Sequence, residues 1–266
     1  FGFVGMSNRK TTAEVKNLNV VGSVSVERTP ATFYVAGIAG FVGQGAEITN
    51  CSFEGTITAT IKSGQGTNPT VLIGGIAGYN YYGTISECTV LNSDISGKNQ
   101  STTAGGAVYV AGIAANNMVG TIKSCTVENS TITGTNENKA SQNLVGGIAA
   151  DNIVGTIEHC KVINGSVSTF GSMEVSSVGG IAGCSDGTLK GCSNSASVTG
   201  NNAFNLKEKE EVSLGSGGVV GCNKNLVENC SNTGSVTGNG LFTGGVVGYN
   251  TTDGTLNGTI SASHNT

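Results

Sequence analysis

Val145–Val162 reads VGGIAADNIVGTIEHCKV. It holds a glycine-bounded apolar segment from Gly147, an asparagine at Asn152, and a short G-T-I-x-x-C stretch ending at Cys160. The same order recurs along the chain. The glycine segment opens near residues 2, 37, 75, 112, 147, 180, 218 and 245, at intervals of 27 to 38 residues, with Gly37-Ile-Ala-Gly40 and Gly218-Val-Val-Gly221 as examples. Asn80, Asn117, Asn152, Asn223 and Asn250 share one register and read as a polar turn. A second strand follows, as in GTISEC, GTIKSC and GTLKGC. Its inward residue is Ile48, Ile85, Ile122, Ile157, Leu189 or Val227, with Val15 and Leu256 in the flanking units. A third strand, [ST]-[IV]-[ST], centres on Val24, Ile57, Ile132, Val167, Val198, Val236 and Ile260, with Asp94-Ile-Ser96 as its variant.

Short alternating segments separated by Gly, Asn and Ser turns are strands. No stretch shows a capped helical stripe. One such unit cannot bury its apolar face alone, but stacked units share a continuous core. The expected fold is all-β: a parallel β-solenoid, or β-helix, of about eight turns with three short strands per turn. Eight rungs would give a body about 40 Å long. Residues 1–266 read as a single solenoid domain. Length variation between units falls after the third strand (62–70, 98–107, 135–143 and 201–212), so the insertions should leave from one corner. The chain opens and closes inside a repeat, which leads us to expect a segment of a longer polypeptide with flanking domains.

Composition narrows the function classes. Thirteen basic residues against seventeen acidic ones give a net charge of −4, with only Arg9 and Arg28 as arginines. A nucleic-acid binder needs a basic stripe, and none is present. Forty-three glycines with two prolines and no three-residue period exclude collagen. No apolar run is long enough for a membrane span.

Ile73–Val90, IGGIAGYNYYGTISECTV, and Val145–Val162 resemble the GLUG-type repeats of large bacterial surface and secreted proteins. The resemblance implies an adhesin-like repeat region, of a kind also found beside catalytic domains such as IgA-cleaving metallopeptidases without being their catalytic part. Such repeats often carry serine at the position of the aligned cysteines, so the cysteine column here is a departure.

Six cysteines form that column: Cys51, Cys88, Cys125, Cys160, Cys192 and Cys230. No C-x-x-C spacing occurs, which argues against a metal site. Free cysteine behaves as a small hydrophobe, so an interior thiol stack is expected, with disulfides between turns as the alternative. Cys184 and Cys222 stand four residues after the start of adjacent glycine segments and should stack directly, which makes them the candidate disulfide. Such a bond would stabilise by about 3 kcal/mol.

Catalytic groups are sparse. His159 should point to solvent beside an inward Cys160, which removes a Cys–His dyad. His264 lies near the end. Asp94, Asp151, Asp186 and Asp253 are the only aspartates. Asp151 and Asp186 read as turn residues of adjacent units, displaced in register and without arginine nearby, whereas carbohydrate-active β-helix enzymes need grouped carboxylates. No cofactor is expected, and no phosphate-binding loop appears. The paired hydroxyls of the third strand (Ser23/Ser25, Thr56/Thr58, Thr131/Thr133, Ser166/Ser168, Ser197/Thr199, Ser235/Thr237 and Thr259/Ser261) raise an ice-binding alternative, although serine and threonine also suit any outward strand position. Tyr79, Tyr81 and Tyr82 are a candidate glycan contact, in register with Phe41 and Tyr249, with packing against the next turn as the plainer reading. Sequons such as Asn50 and Asn129 would be glycosylated only in a eukaryotic secretory host.

The sequence therefore leads us to expect a non-catalytic structural or adhesive segment of an extracellular, cell-surface or secreted protein. Its partner would be a surface protein or glycan of a host or neighbouring cell. An ice-binding solenoid and a carbohydrate-active enzyme stand as alternatives.

Overall fold

A computed structural model describes residues 2–4, 12–29, 31–62, 68–101, 106–138, 141–171, 175–202, 213–252 and 254–266. Asp253, Arg9 and most of the charged insertion 201–214 lie outside them. Among the described residues there are strands and no helix, and every pairing between strands of successive repeats is parallel.

One turn shows the path of the chain. Gln142–Gly146 forms a strand of sheet D, and a bend at Gly147 and Ile148 leads into Ala149–Ile153 of sheet A. Thr156–Glu158 follows in sheet B, then Lys161–Ile163 and Ser166–Gly171 in sheet C. The turn thus has four sides, where three strands were expected. The glycine segment is the reason: it holds a bend, and the residues on its two sides belong to different sheets. Sheets A and B have eight strands each and sheet D has seven. Turns from Phe33 to Gly238 supply all four sheets; the first turn has no described strand in sheet D, and the last gives sheet C only His264–Asn265.

The bend glycines form a column that no side chain could enter. A Cβ on Gly147 would lie 2.1 Å from the Gly180 carbonyl oxygen and 2.6 Å from Val162 Cγ2. Gly75, Gly112, Gly180 and Gly218 meet the next turn in the same way, at 2.1–2.3 Å. Close stacking of backbones at this corner is what the recurrent glycine permits.

Inside, apolar columns run the length of the coil. Ile48, Ile85, Ile122, Ile157, Leu189 and Val227 are fully buried and follow one another in sheet B. Ile38, Ile76, Ile113, Ile148, Ile181 and Val219 do the same just after the glycine bend. Each buried aliphatic side chain contributes roughly 1.5–3 kcal/mol, which offsets the cost of ordering so many short segments.

The asparagines expected in a turn are inside instead. Asn80, Asn117 and Asn152 stand next to last in sheet A strands and are fully buried. The Asn80 amide donates to Asn117 Oδ1 at 2.8 Å, and Asn117 donates to Asn152 Oδ1 at 2.8 Å. Each also donates to the carbonyl three residues on, at Gly83, Gly120 and Gly155. Ser185 takes the next rung, accepting from Asn152 at 3.1 Å. Asn223 and Asn250 continue the column with a bond of their own at 2.8 Å. Period-two alternation sends these residues inward, and an inward amide survives burial by pairing with its copies above and below.

Corners between sheets use left-handed residues. Asn50, Glu87, Ser124, His159 and Asn229 share one corner with φ near +50 to +56°, and Tyr82, Val119 and Val154 share another at +53 to +55°. Valine suits this region poorly, because its branched Cβ crowds the following carbonyl. Val154 is 60% exposed, so little packing is lost on replacement. Val154→Asn is expected to stabilise by about 1 kcal/mol, read as a rise in the urea midpoint. An unchanged or lower midpoint would show that the corner carries no strain.

The length variation does fall between sheets C and D, as expected: strands end at Ile61, Asn99 and Gly171 and resume at Thr70, Ala107 and Val175, with residues 63–67, 102–105, 172–174 and 203–212 of these insertions outside the described ones. The last repeat departs from the expected register. Thr259–Ser261 pairs with Leu226–Glu228 in sheet B, so Ile260, not Leu256, follows Val227. The chain makes an extra loop there, closed by Gly258 N donating to Thr251 O and by a bridge between Thr252 and Asn257, with Asp253 outside the described residues. That loop moves Thr259 and Ser261 out of the third-strand row.

Candidate functional site: a cleft between two outward faces

Sheets D and A meet at a concave angle, so their outward side chains face one another across a groove. Sheet D contributes the column Tyr34, Leu72, Tyr109, Leu144, Ser177, Gly215 and Phe242. Sheet A contributes Phe41, Tyr79, Asn116, Asp151, Cys184, Cys222 and Tyr249. In the first half, large rings fill the groove. Phe41 and Tyr79 stack with centroids 5.3 Å apart, and Tyr34 meets both edge-on. Further along, Ala111, Leu144 and Ala150 form a small apolar cluster separate from the main core, joined by Tyr109, Val175 and Cys184.

Beyond Leu144 and Asp151 both columns shrink, to Ser177 and Gly215 on one side and Cys184 and Cys222 on the other. The result is a cleft of about 610 Å³. Phe242 and Tyr249, stacked 4.7 Å apart, line its far end. Asp151, Asp186 and Lys224 also line it, with Ile153, Val175 and Leu241 as apolar wall. Lys224 Nζ lies 3.3 Å from Asp186 Oδ1.

Asp151 is therefore a strand residue facing the cleft, which corrects its reading as a turn residue; Asp186 stands in the bend after Ser185, displaced in register from Asp151 as expected, and lines the same cleft. Burial pushes the Asp151 carboxyl up to about 7, helped by the charge of Asp186 and by Cys222 and opposed by Lys224. Lys224 is itself raised: burial works against its charge, but Cys184 and Asp186 outweigh burial. The Cys184 thiol is held well above its ordinary value, first by its hydrogen bond with Cys222 and then by burial.

Cys184 and Cys222 are direct register partners, as the spacing predicted, and both are thiols not joined in a disulfide in this structure. The six column cysteines are buried free thiols. From Cys51 to Cys230 each Sγ donates to the carbonyl two residues earlier, at 3.3–3.4 Å. From Cys51 to Cys192 each also reaches a carbonyl of the preceding turn at 3.6–3.8 Å. Cys192 is pushed up to about 12, by its hydrogen bond with Cys160 first and burial next. Thiols held as donors in this way are packing groups and weak nucleophiles. His159 is exposed at its corner, while Cys160 is buried.

Tyr79 is partly covered, and its hydroxyl donates to Met118 Sδ at 2.9 Å. Tyr81 and Tyr82 are about two-fifths exposed and meet edge-on at 4.6 Å. The candidate glycan contact thus splits into a packed ring and two surface rings. On sheet C, Ser23, Thr56, Asp94, Thr131, Ser166 and Ser197 do form one row, with Asp94 inside it. Lys224 and Ser177 were not singled out in the sequence. Alternation counted back from the glycine bend marks Ser177 as an outward residue of sheet D, once that segment is taken as a strand of its own.

Among the described residues, no group of three or more His, Cys, Asp or Glu side chains is arranged to hold a metal ion. Among the same residues, no helix is long and apolar enough to cross a membrane. Comparison with curated proteins and with solved structures gave no match. Residues 31–58 and 70–96, two consecutive turns of the coil, match the family model described as the GLUG motif. This chain carries GLUG-motif repeats in a parallel β-solenoid.

Proposed function

We propose that the chain is a non-catalytic structural and adhesive segment of an extracellular or cell-surface protein. The stacked sheets support this reading: inward columns consume the apolar side chains and amides, leaving outward columns free to vary without disturbing the coil. The contact surface is the groove between sheets D and A, where the partly exposed Tyr34, Tyr81 and Tyr82 lie together near its aromatic half. Rings of this kind stack on sugar faces and pack on partner proteins.

The test is retention of the purified chain on a glycan array and on intact cells, compared with the Tyr81→Ala/Tyr82→Ala variant. Retention reduced at least about fivefold in the variant supports adhesion through this edge. Equal retention, or none by either protein, overturns it. Turnover on a polysaccharide panel, lost in Asp151→Asn, would replace it with the enzyme reading.

A further inference from the structure

We infer that the cleft between sheets D and A is a binding site for a primary ammonium carried on an apolar ring or chain. The site goes beyond the adhesive reading and does not depend on it.

Shape is the first observation. The columns place small residues, Ser177, Gly215, Cys184 and Cys222, between large ones, Leu144 before them and Phe242 and Tyr249 after them. A regular coil with uniform side chains would have a continuous groove; this one has a bounded hollow of about 610 Å³, within the size range of small-ligand sites. Its walls are apolar at Leu144, Ile153, Val175 and Phe242. Gly215 cannot be enlarged, because a Cβ there would lie 2.0 Å from the Gly221 carbonyl oxygen.

Unmet polar capacity is the second. Ser177 lines the cleft, is 1% exposed, and has a hydroxyl with no hydrogen-bond partner. Lys224 is already paired with Asp186, whereas among the described residues the Asp151 carboxyl forms no ion pair. A carboxylate in an apolar-walled hollow needs a cation with donors, and an ammonium supplies both. The ring or chain that carries it would lie against Leu144, Val175 and Phe242.

Charge sets the pH dependence. The titratable and charged groups around Asp151 are Asp186, Lys224, Cys184 and Cys222, with Tyr79 and Tyr109 from the neighbouring turns. Asp151 is held up to about 7 by burial and the Asp186 charge, so its own charge changes near neutrality. An ammonium ligand favours its ionised form, so binding strengthens as pH rises from 5.5 to 8.

Tyramine is the probe, and 4-ethylphenol is its neutral counterpart. Titration of the whole chain at pH 8, followed by calorimetry and by amide shifts in ¹H–¹⁵N spectra, should show saturable tyramine binding. Shifts should centre on Ser177, Asp151, Cys184 and Cys222. Affinity for 4-ethylphenol should be at least about tenfold weaker, and Asp151→Asn should lower tyramine affinity at least about tenfold. Lowering the pH to 5.5 should weaken binding to the wild type and leave Asp151→Asn unchanged. Equal affinity for the two probes, an unaffected Asp151→Asn, or shifts centred elsewhere overturns the assignment. So does tighter binding of a neutral sugar such as maltotriose to the same residues. Loss of cell retention in the Tyr81/Tyr82 variant with tyramine binding intact would separate this site from the adhesive one.

Discussion

Asn117→Ala lowers the unfolding free energy by about 3–5 kcal/mol. The side chain is fully buried and takes part in three hydrogen bonds: it accepts from Asn80 at 2.8 Å, and donates to Asn152 at 2.8 Å and to the Gly120 carbonyl at 3.1 Å. Each bond is worth about 1 kcal/mol net, but removing one partner also strands buried groups on both neighbouring rungs, at about 1–3 kcal/mol each. Against a typical total of about 5–15 kcal/mol, that is a large fraction. Asn117→Ser is the control. Ser185 already fills this rung one turn beyond Asn152, accepting from Asn152 and donating to the Gly187 carbonyl at 3.2 Å. Serine should therefore cost about half as much as alanine. Urea unfolding followed by circular dichroism measures both, and a loss below about 1 kcal/mol for alanine would show that the ladder adds little.

Asp151→Asn should stabilise the protein at pH 8 by about 2–4 kcal/mol and at pH 4 by less than about 1 kcal/mol. The folded carboxyl titrates near 7, against 3.8 for the ordinary group. Below the ordinary value the carboxyl is protonated in both states, and the stability linked to the shift is fully present. Between the two values the unfolded chain has released its proton while the folded one keeps it. Stability therefore falls as pH rises, by about 1.4 kcal/mol per unit, and levels off above pH 7. Asp151 is only half-buried, so water at the cleft mouth brings the total below the full three units. Denaturation midpoints for both proteins from pH 4 to pH 8 supply the comparison. Parallel curves would mean that the carboxyl titrates normally.

Much of the coil could be read before any coordinates. Repeats at 27 to 38 residues, the inward isoleucines from Ile48 to Ile157 and the cysteine column follow from alternation and spacing alone. Cys184 and Cys222 could be aligned because their distances from the glycine bend are equal. The fourth side could not be read so easily. Val145-Gly-Gly-Ile-Ala looks like one segment, and only the stacking of Gly147 on Gly180 shows that it bends between two sheets. Without that bend there is no concave angle, so nothing unites Asp151, Asp186 and Lys224, and the asparagines pass for turn residues. Ile260 takes the place expected of Leu256 because the loop closed by Gly258 and Thr251 lengthens a spacing that the turns from Gly37 to Val227 hold within 9 to 11 residues.

Every interstrand ladder in this coil joins one turn to the next, so its hydrogen bonds lie along the long axis. Tension applied to the two chain ends therefore loads one rung at a time, as in opening a zipper, and the rungs do not share the force. Each turn released frees 27 to 38 residues, or roughly 100 Å of slack. A protein containing such a coil has a built-in shock absorber, which yields in steps while the remaining turns stay folded.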